Sequence, residues 1–383
     1  MFILNVFMCL KDIVDSISML VYALIENLQP FFEKNIVFFM DTQKRYTELI
    51  DAYSLFEKAV EKGIDSYYLM SSEHPSYKNI KEKYRNRVIE FSDYINFKHF
   101  FKFLHLKKFI NSFGFNSYLS DFLYKNKYID FVYLNHGVTL LKDSIFEIYN
   151  SKVFNKFLVS NDVEAQMFIE KGGFKEEELV KATMPHFDLL KDNNDTQRSI
   201  FVFFTWRMSF DNMNYKDSLY YKNLKSLIEN TVLHEILKNN NVKLNIALHH
   251  CLRERNINFN FENVNVVDST QISECIRTSA MLITDYSSIW ADFYFQNKPV
   301  IFYRIDNDDK NLDERDIHNM EFANKSNDIL TNIVYNEENT IDLIKKYINS
   351  DFKIDETERQ IQDKFFYVKE NVREKILESE GLL

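Results

Sequence analysis

Short apolar runs rich in β-forming residues alternate with helical stretches along most of this chain. The first series comprises NIVFFMD (35–41), SYYLMSS (66–72), RVIEF (87–91), YIDFVYLN (128–135) and KFLVSN (156–161). A second series comprises SIFVFFTW (199–206), VKLNIALHH (242–250), VNVVD (264–268), AMLITD (280–285) and PVIFYRI (299–305). Strands that alternate with helices of this length form βαβ units. The alternation therefore predicts an α/β protein with mostly parallel sheets.

A polar segment, LLKDNNDTQR (189–198), separates the two series. A chain of 383 residues is long enough for about two domains. We therefore predict Rossmann-like domains at 31–190 and 191–350, with an N-terminal helix within 1–30. A charged helical stretch in the last segment, 351–383, is expected to cross back to the first domain. Within the first domain, HFFKFLHLKKFINSF (99–113) has the pattern of a helix with aromatic and basic faces.

The N-terminal segment begins apolar, but Lys11, Asp12, Asp15 and Glu26 interrupt it. Its longest clean run, 17–25, is far shorter than the roughly 20 residues that span a bilayer. No small-residue cleavage site follows a basic region, so the segment does not resemble a secretory signal. An amphipathic helix here either packs on the protein body or lies in a membrane interface.

Composition excludes several classes of protein. Lys and Arg number 47 and Asp and Glu 57, and this net charge of −10 argues against a nucleic-acid partner, which requires clustered positive charge. Only six glycines occur, and the sequence has no GxGxxG or GxxxxGKS/T motif. This argues against dinucleotide-binding proteins, P-loop NTPases and protein kinases. The three cysteines are far apart and form no CxxC pair.

The densest polar signal at a strand end is in ITDYSSIWADFYFQNKPVIFYRIDND (283–308). A predicted strand ends at Thr284 and Asp285, and Ser287 and Ser288 open a helix. A serine in this place can cap the helix by accepting from a free backbone N–H. Paired hydroxyls beside the free N–H groups of a helix start also favour an anion such as phosphate. The sequence leaves both interpretations open.

Two other motifs follow predicted strands, where ligands bind in open α/β sheets. In LNHGVTLLK (134–142), His136 precedes Gly137. A histidine has the pKa range of a general base for a hydroxyl, although a structural role is also open. In TWR (205–207), Arg207 has the planar fork that can clamp a phosphate.

Three further motifs carry histidine or acidic residues. His249 and His250 end another strand, and Asp188 in MPHFD (184–188) either holds a sugar hydroxyl or orders a turn. The run DNDD (306–309) resembles a DxD metal motif, but an acidic solvated loop is the favoured interpretation. Because no HxxxH or HExxH spacing exists, we predict no metal site and no cofactor.

Five segments occur in a fixed order: LNHGVTLLK, FLVSNDVEAQMF, MPHFD, TWR, and ITDYSSIWADFYFQNKPVIFY followed by an acidic loop. Together they resemble the CDP-glycerol glycerophosphotransferase family, which includes teichoic-acid primases and polymerases and related capsule polymerases. The resemblance spans about 128–309, and TDYSS is its most specific part. The chain departs from the family in HGVTL for HGTPL, in His186 where arginine is usual, and in the prolines missing from FFTWR and LHH.

The resemblance implies a GT-B fold, in which two Rossmann-like domains face each other across a cleft. It implies transfer of a polyol phosphate, with glycerol phosphate favoured, from a CDP-activated donor to a hydroxyl of a cell-surface glycan or lipid-linked acceptor, with release of CMP. The implied catalytic residues are His136 and His249. The implied donor-binding residues are Thr205, Arg207, Thr284, Asp285, Ser287 and Ser288. Gly137, Asp188 and Asp306 are further site candidates.

The resemblance also implies a cytoplasmic enzyme that works at the inner face of the membrane. The basic and aromatic run at 97–108 either supplies a peripheral membrane contact or is a helix packed by Phe and solvated by Lys. Two other functions stay open. One is a GT-B nucleotide-sugar glycosyltransferase or 2-epimerase, and the other is an inactive scaffold in a capsule-synthesis complex.

Overall fold

Two parallel β-sheets organise the chain, one from each series of apolar runs. The computed structural model describes residues 16–41, 51–91, 99–112, 118–135, 137–141, 154–190, 195–247 and 261–383. The first sheet contains β1 (Ile36–Met40), β2 (Ser66–Met70), β3 (Val88–Glu90), β4 (Leu106–Asn111), β5 (Asp130–Tyr133), β6 (Lys156–Val159) and β7 (Leu179–Lys181). The second contains β8 (Gln197–Phe203), β9 (Lys243–Ala247), β10 (Val264–Val267), β11 (Ser279–Thr284), β12 (Val300–Tyr303) and β13 (Ile333–Val334).

Helices connect the strands on both sides of the sheets. In the first half they are α1 (16–28), α2 (Asp51–Glu61), α3 (Tyr77–Tyr84), α4 (Phe100–Leu104), α5 (Tyr118–Lys125) and α6 (Asp162–Glu170). In the second half they are α7 (Leu219–Glu229), α8 (Thr231–Asn239), α9 (Ile272–Thr278), α10 (Trp290–Phe295), α11 (Glu314–Asn324), α12 (Glu337–Asn349), α13 (Glu356–Asp363) and α14 (Val372–Ser379). The strands β1, β11 and β12 are buried throughout, as in parallel sheets covered on both faces.

The strand order is that of a doubly wound fold in both sheets. It is β3-β2-β1-β4-β5-β6-β7 in the first and β10-β9-β8-β11-β12-β13 in the second, and all pairs are parallel. The strand order reverses between β1 and β4 and again between β8 and β11. Such reversals open a crevice at the carboxyl ends of the strands. The predicted α/β class with parallel sheets is confirmed, and the exact domain limits at 30, 190 and 350 stay a prediction.

The helix predicted at 99–113 is wrong beyond Leu104, because the chain continues as β4 in the middle of the first sheet. The lysines made this segment look solvated. Lys108 is buried instead, with its ammonium 2.6 Å from Asp130 and 2.7 Å from Glu380. These carboxylates come from β5 and the end of the chain, so the local pattern gave no sign of them. Lys108 is therefore unavailable for the membrane contact considered for this run.

The C-terminal segment contacts residues of the first half of the chain. Asp188 caps α14 by accepting the backbone N–H groups of Val372 and Arg373, both at 2.9 Å. Farther along the same helix, Glu374 accepts from Lys62 at 2.5 Å. Of the two roles left open for Asp188, the contacts are those of a residue that orders the backbone.

The helix α1 has one face buried and one exposed. Val21, Tyr22 and Ile25 pack into the core on one side of the first sheet, whereas Leu20 on the opposite face is 71% exposed. Within the described ranges, no helix combines the length and apolar character that crossing a bilayer requires.

His186 joins the two halves of the protein through both of its ring nitrogens. Nδ1 lies 2.7 Å from Asp51 on α2, and Nε2 lies 2.9 Å from Asp292 on α10. Two carboxylate partners require a proton on each nitrogen, which is the imidazolium. Burial alone would lower the pKa, but the charge of Asp51 and the hydrogen bond to Asp292 outweigh it and raise the pKa of His186 to about 10. The bridge is therefore an ion pair at neutral pH.

We expect His186→Ala to lower the free energy of unfolding at pH 6.5 by about 3–5 kcal/mol, because two buried carboxylates lose their shared cation. Because the folded pKa is raised, the stabilisation is complete below about pH 6.5 and is lost as the pH rises through about 10. His186→Arg, which keeps a permanent charge, should retain stability up to pH 10. Thermal melts of the three proteins from pH 6.5 to 10 measure this. Equal pH dependence in the wild type and His186→Arg would contradict it.

Candidate functional site

The crevice of the second sheet, between the ends of β8 and β11, gathers most of the predicted site residues. Thr205 and Arg207 follow β8, and Thr284 ends β11 and leads into Asp285. The two histidines proposed for catalysis, His136 and His249, lie outside the described residues. The fold therefore brings Thr205, Arg207, Thr284 and Asp285 to one edge of the second sheet, and their role in binding the donor stays a prediction.

Arg207 is buried at this edge between two carboxylates. Its Nε and Nη2 donate to the two oxygens of Asp306 at 2.8 and 2.7 Å, and Nη2 also donates to Asp285 at 2.7 Å. Its Nη1 donates to the Thr205 carbonyl at 2.9 Å. The fork expected to meet a phosphate is thus turned onto Asp306 in this conformation, and a phosphate contact by Arg207 stays a prediction.

Asp285 ties the two strand ends together. One of its oxygens accepts the Thr205 N–H at 2.8 Å and the other accepts from Arg207. Thr284 likewise donates its hydroxyl to the Phe203 carbonyl at 2.6 Å. These contacts shape the turn, and a donor-binding role for the two residues stays a prediction. The contacts leave neither side chain free to bind a ligand directly in this conformation.

Arg304 is a second buried guanidinium that the sequence analysis missed. It donates to the Asp285 carbonyl and, at 3.1 Å, to the Asn327 side chain. Both guanidiniums lie over the ring of Tyr286, that of Arg304 4.3 Å and that of Arg207 5.1 Å from its centre. Arg304 directly follows β12, and its hydrogen-bond partners are 19 and 23 residues away in the sequence, so no local pattern indicated its role.

The acidic loop is less solvated than expected. Asp306 and Asp309 are only 1% and 5% exposed, and Asp309 accepts the Leu219 N–H at 2.9 Å. Burial raises the pKa of Asp306, although Arg207 opposes the shift. The interpretation of DNDD as a solvated loop is therefore wrong for these two residues. In the described part of the chain, no three His, Cys, Asp or Glu side chains are grouped to hold a metal ion.

The serine pair does not cap the helix that follows it. The cap position of α10 is Ile289, which makes no side-chain hydrogen bond to the helix. Among the described residues, neither hydroxyl of Ser287 and Ser288 has a hydrogen-bond partner. The hydroxyls are therefore available to a ligand.

The loop that contains the His-Gly motif reaches across the cleft to this serine pair. A Cβ placed on Gly137 would lie 2.7 Å from Oγ of Ser288 and 2.9 Å from its Cβ. A side chain at position 137 would therefore displace Ser288. The closeness of Ser288, in the second half of the chain, explains why the residue after His136 is glycine. The sequence alone gave no reason for this glycine.

Glu164, a residue that the sequence analysis did not single out, anchors the same loop. Its carboxylate accepts from the Thr139 N–H at 2.8 Å and hydroxyl at 2.7 Å, and from the Ser160 N–H at 2.7 Å. Burial raises the pKa of Glu164, against the effect of these hydrogen bonds. Its position in FLVSNDVEAQMF, one of the five ordered segments, was the available signal.

Residues 21–379 match the family described as CDP-glycerol:poly(glycerophosphate) glycerophosphotransferase. The chain belongs to this family. It is also 26% identical over 375 residues to the minor teichoic acid biosynthesis protein GgaB of Bacillus subtilis strain 168. That match covers 90% of this chain but 39% of GgaB, so the chain spans about two fifths of the length of that relative.

Solved structures establish the fold. The wall teichoic acid polymerase TagF has a TM-score of 0.64 at 15% identity, with 99% of this chain and 97% of TagF covered. A putative UDP-N-acetylglucosamine 2-epimerase from Listeria monocytogenes has a TM-score of 0.55 at 11% identity, with 90% and 95% covered. With the two doubly wound sheets, these likenesses confirm the expected GT-B fold.

We expect Ser288→Ala to change the free energy of unfolding by less than about 0.5 kcal/mol and to weaken CDP-glycerol binding roughly ten- to a hundredfold. The reason is that its hydroxyl is free of helix capping. Ser218→Ala is the control, because Ser218 caps α7 by accepting from Tyr221 at 3.1 Å. That change should cost about 0.5–2 kcal/mol of stability and leave donor affinity intact. Calorimetry measures donor affinity and thermal melts measure stability. Loss of stability with unchanged donor affinity in Ser288→Ala would refute Ser288 as a phosphate-binding residue.

Proposed function

We propose that this chain transfers a polyol phosphate, with glycerol phosphate favoured, from a CDP-activated donor to a hydroxyl of a cell-surface glycan or lipid-linked acceptor. The observation that carries this proposal is the meeting of the His-Gly loop with the free serine pair at Gly137 and Ser288. Family membership supports the same reaction class. The reaction needs a base on one side of the cleft and phosphate-binding groups on the other, and these two motifs supply both.

In the proposed reaction, the acceptor oxygen forms a bond to the β-phosphorus of the donor. The bond from that phosphorus to the bridging oxygen breaks, and CMP leaves. His136 takes the proton of the acceptor hydroxyl. Phosphoryl transfer depends mainly on positioning and on stabilising the charge on the transferred oxygens. The Ser287 and Ser288 hydroxyls are proposed to stabilise that charge by hydrogen bonding, and His249 is proposed to contribute as well.

The charge balance of the crevice favours hydroxyl and backbone N–H groups, and not a free guanidinium, as the groups that bind the phosphate. Arg207 is paired with the carboxylates of Asp285 and Asp306, and Arg304 donates to the backbone carbonyl of Asp285, so these four buried side chains together carry no formal net charge. A donor phosphate therefore meets a rigid and nearly neutral floor. Neutral donors held in place can stabilise developing charge without reorganising during the reaction.

The function is tested by mixing the protein with membrane extract and CDP-glycerol, CDP-ribitol or UDP-N-acetylglucosamine, and by measuring nucleotide release and group transfer. We expect CMP release with polyol-phosphate transfer, and a loss of about 10²–10⁴ in rate for His136→Ala with donor affinity retained. Release of UDP with sugar transfer would support a glycosyltransferase instead. Turnover of none of the donors would support the scaffold function.

We also propose that the protein works at the cytoplasmic face of the membrane, where a lipid-linked acceptor would be found. Ile17, Leu20 and Leu24 form an exposed stripe on α1, and Phe31 and Phe101 are 82% and 68% exposed. Residues 16–25 contain no charged side chain. A phospholipid surface suits this apolar face, as for amphipathic helices that lie in the interface.

The apolar residues lie on connected elements. The Gln29 side chain, directly after α1, donates to the Phe103 carbonyl in α4 at 2.9 Å. Lys34 donates to the Gln29 and Leu104 carbonyls, both at 2.6 Å, and so ties the same two segments together. The patch is therefore part of one rigid surface. Because the net charge is −10, attachment rests on local apolar contact.

We expect Leu20→Glu with Leu24→Glu to lower the fraction bound to phosphatidylglycerol vesicles about tenfold or more, because two leucines no longer enter the interface. Val232→Glu, on the exposed surface of α8, is the control because Val232 is 54% exposed in the second half. Vesicle flotation measures the bound fraction. Equal flotation of the wild type and the double variant would rule out this patch as the contact.

A further inference from the structure

One cavity in the cleft is lined by three residues that each have a buried polar atom without a partner. These atoms are the Tyr286 hydroxyl, Oγ1 of Thr205 and Oδ1 of Asn319, and no hydrogen bond reaches any of them in the described part of the chain. Tyr286 is 4% exposed. An unpaired buried polar group costs roughly 1–3 kcal/mol, so proteins rarely retain several at one place without a use. The three together indicate a ligand.

The cavity lies between the two halves and is small, about 160 Å³. Leu141, from the His-Gly loop of the first half, forms one wall, and Trp206 and Met320 of the second half add apolar surface. Pockets for drug-sized ligands have about 300–1,000 Å³. This cavity therefore suits a short fragment and is too small for a nucleoside diphosphate.

The chemistry of the walls selects a neutral, hydroxyl-rich fragment. The hydroxyls of Tyr286 and Thr205 can donate or accept, and the amide oxygen of Asn319 can only accept. Of the charged residues that line the cavity, Arg207 is bound by Asp306 and Asp285, and Arg315 and Asp316 carry opposite charges. Hydroxyl groups satisfy such walls in both directions, whereas an anion has no proton to donate to the Asn319 oxygen.

We propose that this cavity binds the polyol end of the donor and selects the polyol, with Tyr286, Thr205 and Asn319 as the specificity-determining residues. The inference rests on the proposed function. Tyr286 directly precedes Ser287, so a phosphate at the serine pair would present its ester-linked polyol close to these walls. The Leu141 wall places the polyol beside the loop that also contains the proposed base.

The walls are held rigidly, as a selective pocket requires. The Tyr286 ring packs against two guanidiniums, and the Thr205 N–H and carbonyl are bound by Asp285 and Arg207. On the third wall, Asp316 fixes α11 by accepting the Met208 and Ser209 N–H groups at 3.1 and 2.8 Å. Asn319 lies one turn further along the same helix.

The test compares CDP with CDP-glycerol and CDP-ribitol by titration calorimetry on the full chain. In the wild type, we expect one polyol donor to bind more tightly than CDP. Tyr286→Phe and Asn319→Ala should each reduce that advantage roughly two- to tenfold, the value of one neutral hydrogen bond, while the affinity for CDP is unchanged. Tyr286→Phe should not lower the melting temperature, because the hydroxyl that it removes has no partner.

Tyr294→Phe is the matched control. Tyr294 is also buried, but its hydroxyl lies 3.1 Å from Oγ1 of Thr331, away from the cavity. It should lose stability and keep the wild-type preference among donors. The inference is overturned if Tyr286→Phe lowers CDP affinity as much as polyol-donor affinity, if it leaves both unchanged, or if the wild type gains nothing from the polyol. Failure of the wild type to bind or turn over any CDP-linked compound would reject the proposed function itself.

Discussion

Two carboxylates and two guanidiniums buried together at the carboxyl edge of the second sheet determine how the rest of this structure is arranged. Asp285 joins the end of β11 to the end of β8, and Arg207 joins both to the loop after β12 through Asp306. Removal of one member of such a buried pair typically costs about 3–5 kcal/mol, because the remaining charge stays desolvated and unpaired. The group thus fixes the turn that leads to Ser287 and Ser288. Within this group, the guanidinium of Arg207 is bound by carboxylates and is not free to meet the donor phosphate.

The site is composite because the two halves meet at it. His186 connects α2 with α10 through an ion pair. Gly137 of the His-Gly loop lies so close to Ser288 that a side chain at position 137 would not fit. Glu164 holds that loop to the first half by accepting two hydrogen bonds from Thr139 of the loop and one from Ser160. The position of the two halves therefore decides the distance between the proposed base and the proposed phosphate site. The cavity lined by Tyr286 lies along the same boundary.

The sequence could predict which strand ends have polar residues. It could not predict which groups those residues pair with in the fold. Strand ends followed by polar residues indicated side chains that the fold gathers at the crevice of the second sheet, because parallel strands bring their carboxyl ends to one edge. The sequence could not indicate that Arg207 faces Asp306, since these residues are 99 positions apart and acidic residues near strand ends are common in this chain. Tyr286 and Arg304 gave no signal because their role depends on a guanidinium and a ring packed against each other in the folded core.

The sequence by itself determined the α/β class, the two parallel sheets and the family, since hydrophobic period and ordered short motifs are local properties. The tertiary structure alone decided that 106–111 is a central strand, because the charge of Lys108 is matched by Glu380, 272 residues away. It alone decided that Asp188 caps the last helix and that Gly137 touches Ser288. The physical reason is the same in each case. A side chain reveals its chemistry in the sequence, but whether that chemistry is neutralised or left free depends on which distant group the fold brings within hydrogen-bonding distance.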